Sequence, residues 1–171
     1  GSTPNRFLIN IQQDQIEALA SIFKKAKVSL PEFYPMVRGR LLAINNKAMN
    51  PEEFTGRSRF LIEREFNLSW SEKIPQHNKL IKGTAWSTPV KQPAFSLERG
   101  IAERFQIKID DILHFDIAGN SVSAKVQNIR EVDWDSFRVN FFVLASPQLI
   151  EDQPATYVSS FYLANDQHDF L

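Results

Sequence analysis

Three histidines, two aspartate clusters and a few serines are the side chains of this 171-residue chain with types suited to chemistry. His77, His114 and His168 could ligate a metal, but a metal site needs several ligands converging in a fixed geometry. These three lie far apart and show no zinc-type spacing. They read instead as solvent-facing or hydrogen-bonded rings, with His114 on the polar face of its strand. Asp110-Asp111 and Asp133-Trp134-Asp135 raise acid–base catalysis, which requires two nearby carboxylates whose environments push their pKa values apart. Adjacent aspartates more simply close turns by accepting hydrogen bonds from nearby backbone amides. Ser96, Ser136 and Ser159-Ser160 lack the Gly-x-Ser-x-Gly elbow of a hydrolase. Asn67-Leu68-Ser69 matches a glycosylation acceptor tripeptide, a pattern common by chance. The chain has no cysteine, which removes disulfides, thiolate metal sites and a cysteine nucleophile together. The residues therefore supply no catalytic, cofactor-binding or metal site, and a non-enzymatic domain without a cofactor is the expectation.

Two other sets concern binding. Trp70, Trp86 and Trp134, with 14 phenylalanines, either pack the core or line an apolar groove, and packing is the default reading. Arg38 and Arg40 flank Gly39 on a strand. Internal pairing with Glu or Asp is the favoured reading, and contact with a neighbouring protomer is the alternative.

An apolar fraction of 43% argues for a packed interior rather than disorder. Lys and Arg total 20 and Asp and Glu total 20, so there is no net charge. Nucleic-acid binding normally rests on a basic excess that neutralises phosphates, and none exists here. The densest basic run, Lys24-Lys25-Ala26-Lys27, falls where it complements a helix dipole. No run approaches the roughly 20 apolar residues of a membrane span. Gly1-Ser2 reads as a cloning remnant, so flanking membrane segments of a longer parent are compatible with the sequence.

The elements follow from periodicity. Phe7, Ile9 and Ile11 define one face of a first strand. Ile16, Leu19, Ala20, Phe23 and Ala26 mark an amphipathic helix, ended at Leu30-Pro31, and Phe33 to Asn45 is a long strand. This β-α-β unit places its two strands in one sheet with a right-handed crossover. Asn45 to Arg59 reads as irregular, with a brief helix at Asn50 to Glu53. Phe66 to Trp70 is a half-buried strand, and Lys79 to Trp86 another, bent or bulged at Gly83. Ser96 is placed as N-cap of a helix carrying Leu97, Ile101, Ala102 and Phe105 on one face. A hairpin follows, Leu113 to Ile117 and Val122 onward, turning at Ala118-Gly119-Asn120-Ser121. Val132 to Ser136 is a strand end or corner, Val139 to Leu144 a strand buried on both faces, and Ala155 to Leu163 a last strand. Asn165-Asp166-Gln167 resembles a helix start, which implies that the natural domain continues into a second β-α-β unit.

With these elements in place, the chain resembles the extracytoplasmic domain of FtsX/MacB-type ABC transporter permeases, in particular the YbbP-like branch. The residues that carry the resemblance are Pro4 to Gln12, Tyr34 to Leu41, Arg64 to Trp70, Ser96-Leu97-Glu98 with Ala102 to Phe105, Asn128 to Trp134, and Asn140 to Val143. The resemblance implies an α+β, two-lobed MacB-like periplasmic core domain. Residues 1–45 and 140–171 would form a porter-like β-α-β lobe lacking its closing helix and strand, and 46–139 an inserted, mostly β lobe with a helix-hairpin. It implies a bacterial inner-membrane parent with this domain on the periplasmic side, transmitting ATP-driven motion, with export or extraction of hydrophobic molecules as its task. Partners would be a cytoplasmic ATP-binding subunit, a second permease copy and a periplasmic protein such as an esterase, with no nucleic acid. A free-standing periplasmic binding or adaptor module and a lipid or ester hydrolase are the alternative readings.

Overall fold

The computed structural model describes residues 3–164. In chain order the elements are β1 (Arg6–Ile11), α1 (Ile16–Lys25), β2 (Tyr34–Ile44), β3 (Lys47–Ala48), α2 (Gly56–Glu63), β4 (Phe66–Trp70) and β5 (Asn78–Gly83). Then come β6 (Ala94–Glu98), α3 (Arg99–Arg104), β7 (Ile112–Ile117), β8 (Asn120–Val132), β9 (Val143–Ala145) and β10 (Thr156–Phe161). Helices and strands mix along the chain, and the fold is α+β. The chain divides into two compact units, residues 1–36, 134–140 and 155–171 in one, and 37–133 with 141–154 in the other.

In the first unit β10 lies between β1 and the opening residues of β2, antiparallel to both. The two strands of the β-α-β unit thus run parallel in one sheet, separated by a strand from the far end of the chain. Phe23 of α1 meets Phe161 of β10 edge-on, with ring centroids 5.0 Å apart, and Val28 and Leu163 complete that core. Asn5 holds Leu163 through both backbone groups, its Nδ2 donating to the carbonyl at 3.0 Å and its Oδ1 accepting from the amide at 2.8 Å. Helix α1 ends well before Pro31. Lys27 turns into the left-handed region at φ 57°, and the Val28 amide donates to the Phe23 carbonyl at 3.0 Å. That bond and turn form a Schellman-type cap, completed by apolar contact between Val28 and Phe23. The expected common face of Phe7, Ile9 and Ile11 is broken. The register slips between Leu8 and Ile11 and Asn10 takes φ 54°, so Ile11 is buried while Phe7 and Ile9 are exposed.

In the second unit the strand pairings close on themselves. Strand β2 pairs with β4, β4 with β9, β9 with β6, β6 with β8, β8 with β7, and β7 with the second half of β2. This six-stranded barrel mixes parallel and antiparallel contacts, and closure removes the exposed edges of all six strands. Val37, Leu68, Phe95, Phe115 and Val126 fill the interior, each at most 1% exposed. Gly39 faces the same interior, because a Cβ there would sit 3.0 Å from Ile117 Cγ1 and 3.1 Å from Leu68 Cδ1. Strand β5 adds to β8 outside the ring.

Several expectations are corrected. Ser96 is not a helix cap. Residues 94–98 are all buried as a strand between β8 and β9, and the cap is Glu98, whose carboxylate accepts from the amides of Gly100 and Ile101 at 2.8 and 2.9 Å. A run buried on both faces loses its alternation, so strand and helix look alike in sequence. Within the stretch read as irregular, Gly56 begins α2, whose buried residues are the adjacent Leu61 and Ile62 rather than a helical stripe. The strand expected over Val139 to Leu144 contracts to β9, because the Phe141 carbonyl accepts from Arg130 instead of joining a ladder. The strand expected to reach Trp86 stops at Gly83. The hairpin turns as expected, with Ala118 and Gly119 at φ 51° and 86°. The helix start at Asn165 lies outside the described residues.

Candidate functional site

The side chains singled out in the sequence are distributed over several elements. His114 shares a 2.6 Å hydrogen bond with Ser123 Oγ through Nδ1, and His77 occupies the loop before β5. His168 lies outside the described residues. Among the described residues no group of three His, Asp or Glu side chains is placed to hold a metal ion. Asp111 closes the turn before β7, where its carboxylate accepts from the Lys108 amide at 2.8 Å and from Asn45 Nδ2 at 3.0 Å. Asp133 and Asp135 are exposed in the segment after β8. Ser159 is fully buried and its hydroxyl donates to the Glu32 carbonyl at 2.7 Å. Ser136 is half-buried. Trp86 packs into the core, its indole N–H shared between the carbonyls of Ser71 and Glu72 at 3.1 and 3.0 Å. Trp70 is half-buried, and Trp134 is 48% exposed.

The principal polar centre was not legible in the sequence. Arg130, on β8, is completely buried. Its Nε donates to Ser96 Oγ at 3.0 Å, its Nη1 to Asn78 Oδ1 at 3.0 Å and its Nη2 to the Phe141 carbonyl. A single guanidinium thereby ties β6, β5 and the approach to β9 onto β8. Loss of hydration pushes Arg130 down to about 10, partly offset by the neighbouring carboxylate of Glu98. Glu98 is itself buried and is stabilised by the two amide bonds at the start of α3. All three guanidinium nitrogens of Arg130 donate to protein acceptors, which favours rigidity.

Two of the open hollows on the barrel unit gather charged side chains. In the first, of about 560 Å³, Arg38 and Arg40 of β2 project with Arg64, Glu65, Asn67 and Asp116. The expected internal pairing of Arg38 and Arg40 is absent. Ion pairs form at Arg59–Glu63 and at Arg99 with Glu103 and Glu131, and among the described residues neither Arg38 nor Arg40 makes one. Arg38 lies opposite Asn67, and Arg40 opposite Asp116, in register, while Arg64 rests 4.6 Å above the Phe60 ring. The second hollow, of about 720 Å³, is floored by Phe54 and Phe105, which meet edge-on at 5.8 Å, with Lys47 and Arg104 among its walls. Neither hollow sets a nucleophile beside a base.

The chain is related to an ABC transporter permease. It is 36% identical over 163 residues, 95% of its own length, to the protein described as "Uncharacterized ABC transporter permease YbbP" of Escherichia coli strain K12. It spans 19% of the length of that relative. No protein-family model matches the chain. Among the described residues no helix is long and apolar enough to cross a membrane.

Proposed function

We propose that this chain is an extracytoplasmic domain of an FtsX/MacB-type permease of the YbbP-like branch, non-catalytic itself, which passes ATP-driven movement to the far side of the membrane. The observation that carries the reading is the 36% identity across 95% of the chain to a permease. On this reading residues 1–45 and 140–171 form the porter-like lobe and 46–139 the inserted β lobe. A cytoplasmic ATP-binding subunit drives the parent, two permease copies pair, and a periplasmic partner such as an esterase receives a hydrophobic cargo. Mechanical work of this kind needs stiff bodies and contacts that differ between two states. A closed barrel tied by a buried guanidinium that bonds three elements supports the first requirement.

The test uses a cysteine-free full-length parent with its ATP-binding subunit. Lys79 is exposed on β5, and Lys79→Cys adds one thiol to a segment that has none. A membrane-impermeant maleimide should label it in intact cells once the outer membrane is permeabilised. In the reconstituted complex, spin labels at that position in the two copies should report a distance that changes between the ATP-trapped and nucleotide-free states. Labelling only after lysis would remove the sidedness, and a distance indifferent to nucleotide would remove the mechanical role.

A further inference from the structure

We propose that the hollow between α3 and the paired strands β5 and β8 binds a small organic monocarboxylate, its aliphatic part against isoleucines and its carboxylate between two lysines. The hollow encloses about 220 Å³ and is lined chiefly by Ile81, Lys82, Ala102, Ile107, Lys108 and Ile129. At roughly 30 Å³ per water in the liquid, that is room for about seven waters, or a chain of about six carbons with its head group. Ala102, Ile107 and Ile129 form a buried apolar floor, while Ile81 stays 37% exposed, an apolar side chain spent on the wall of an open hollow. Ligand sites have this make-up, apolar walls with a few placed polar groups.

The backbone is arranged to present that wall. Successive residues of an unbroken strand face opposite sides of the sheet, yet Ile81 and Lys82 both line the hollow. Strand β5 carries one extra residue between Leu80, opposite Arg130, and Lys82, opposite Ile129. This bulge re-aims the side chains, as bulges beside sites do. Gly83 secures it, since at φ 75° a Cβ would fall 2.1 Å from the Gln127 carbonyl oxygen, so the chain turns as it does only with glycine there.

Charge decides the ligand's sign. Arg99 and Glu103 also line the hollow. Arg99 lies between two carboxylates, with Nη1 2.9 Å from Glu131 and Nε 3.9 Å from Glu103, and offsets one charge of the two. Lys82 and Lys108 make no ion pair among the described residues. The two lysines outweigh the one remaining carboxylate, so a net positive charge over an apolar floor selects an amphipathic anion, and Gln106 adds an amide to the same wall. The site stands independently of the transport reading, and either can fail alone.

The experiment titrates the intact 171-residue chain with sodium hexanoate, and in parallel with 1-hexanol, following backbone amide shifts by NMR. Hexanoate should produce saturable shifts centred on Ile81, Ala102, Ile107 and Ile129, with hexanol at least about ten-fold weaker. Lys82→Ala combined with Lys108→Ala should raise the hexanoate Kd about ten-fold while leaving hexanol unchanged. Both lysines are exposed, so the variant should remain folded, and an undisturbed amide spectrum elsewhere verifies it. Ile81→Ser should weaken both probes. Absence of saturation, equal affinity for the alcohol, or shifts centred elsewhere would each overturn the assignment.

Discussion

The ionisation of Tyr34 and of Arg130 is shifted, and their effects on stability oppose one another. The Tyr34 hydroxyl donates to Glu32 Oε2 at 2.9 Å. Burial, then that bond and the charge of Glu32, push the phenol up from 10.0 to about 12, against a smaller opposite pull from Arg138. A raised folded pKa means stability that is complete below pH 10.0 and lost as pH climbs through about 12. Arg130 has the opposite sign. Its folded value of about 10 lies below that of an unburied arginine, so its proton-linked contribution favours the native state only at strongly alkaline pH and disappears as pH falls through about 10. Near neutrality Arg130 therefore adds no slope. We expect phenolate absorbance near 295 nm in the native protein to retain one late-titrating tyrosine, and Tyr34→Phe to abolish it. Replacing Arg130 should be costly. Arg130→Ala would strand Ser96, Asn78 and the Phe141 carbonyl and leave the Glu98 charge in the interior, a loss of about 3–5 kcal/mol. Lysine cannot reproduce the three-way fork, so Arg130→Lys should recover little of it in urea unfolding.

Turns and caps at the ends of elements carry strain that single substitutions can read. Gln106 follows α3 at φ 55°, with the Ile107 amide donating to the Ala102 carbonyl at 2.8 Å. It repeats the cap built by Lys27 and Val28 at the end of α1. Glycine is preferred in that left-handed position, so Gln106→Gly and Lys27→Gly should each stabilise the chain by about 0.5 kcal/mol, measured as a higher urea midpoint at constant m. Gly83 and Gly119 separate strain from clash. Both have positive φ, but a Cβ at Gly119 meets nothing within 4 Å, whereas one at Gly83 would overlap the Gln127 carbonyl. Gly119→Ala should cost about 1 kcal/mol and Gly83→Ala at least about 2 kcal/mol. Hydrogen exchange should then show faster exchange at β5 in the second variant alone.

At the scale of the whole molecule, the closed ring of pairings sets which parts open first. Strands β2, β4, β6, β7, β8 and β9 have partners on both sides within the barrel, while β1 and β5 each pair on one side among the described residues. Amide exchange in the ring should follow global unfolding, and exchange in β1 and β5 should run faster, by local opening. The ring joins strands distant in sequence, such as β4 with β9 and β2 with β7. Non-local pairing of this kind folds slowly, so refolding should fall in the millisecond-to-second range by stopped-flow fluorescence of the buried Trp86.

Local chemistry determined much of the element list. The alternation from Leu113 to Ile117, the stripe through Ile16, Leu19 and Phe23, and the Ala118-Gly119 turn each draw their signal from neighbouring residues, and each formed where periodicity placed it. The likeness to a permease was equally visible. What tertiary structure alone decided depends on partners remote in sequence. Ser96 became a buried acceptor because Arg130 lies beside it on β8, and Val139 to Phe142 lost strand character because a guanidinium claimed the Phe141 carbonyl. Among the described residues Arg38 and Arg40 make no ion pair, although the register sets Arg40 opposite Asp116. The barrel itself has no signature in composition or period, since closure is a property of which strands meet and not of any one of them.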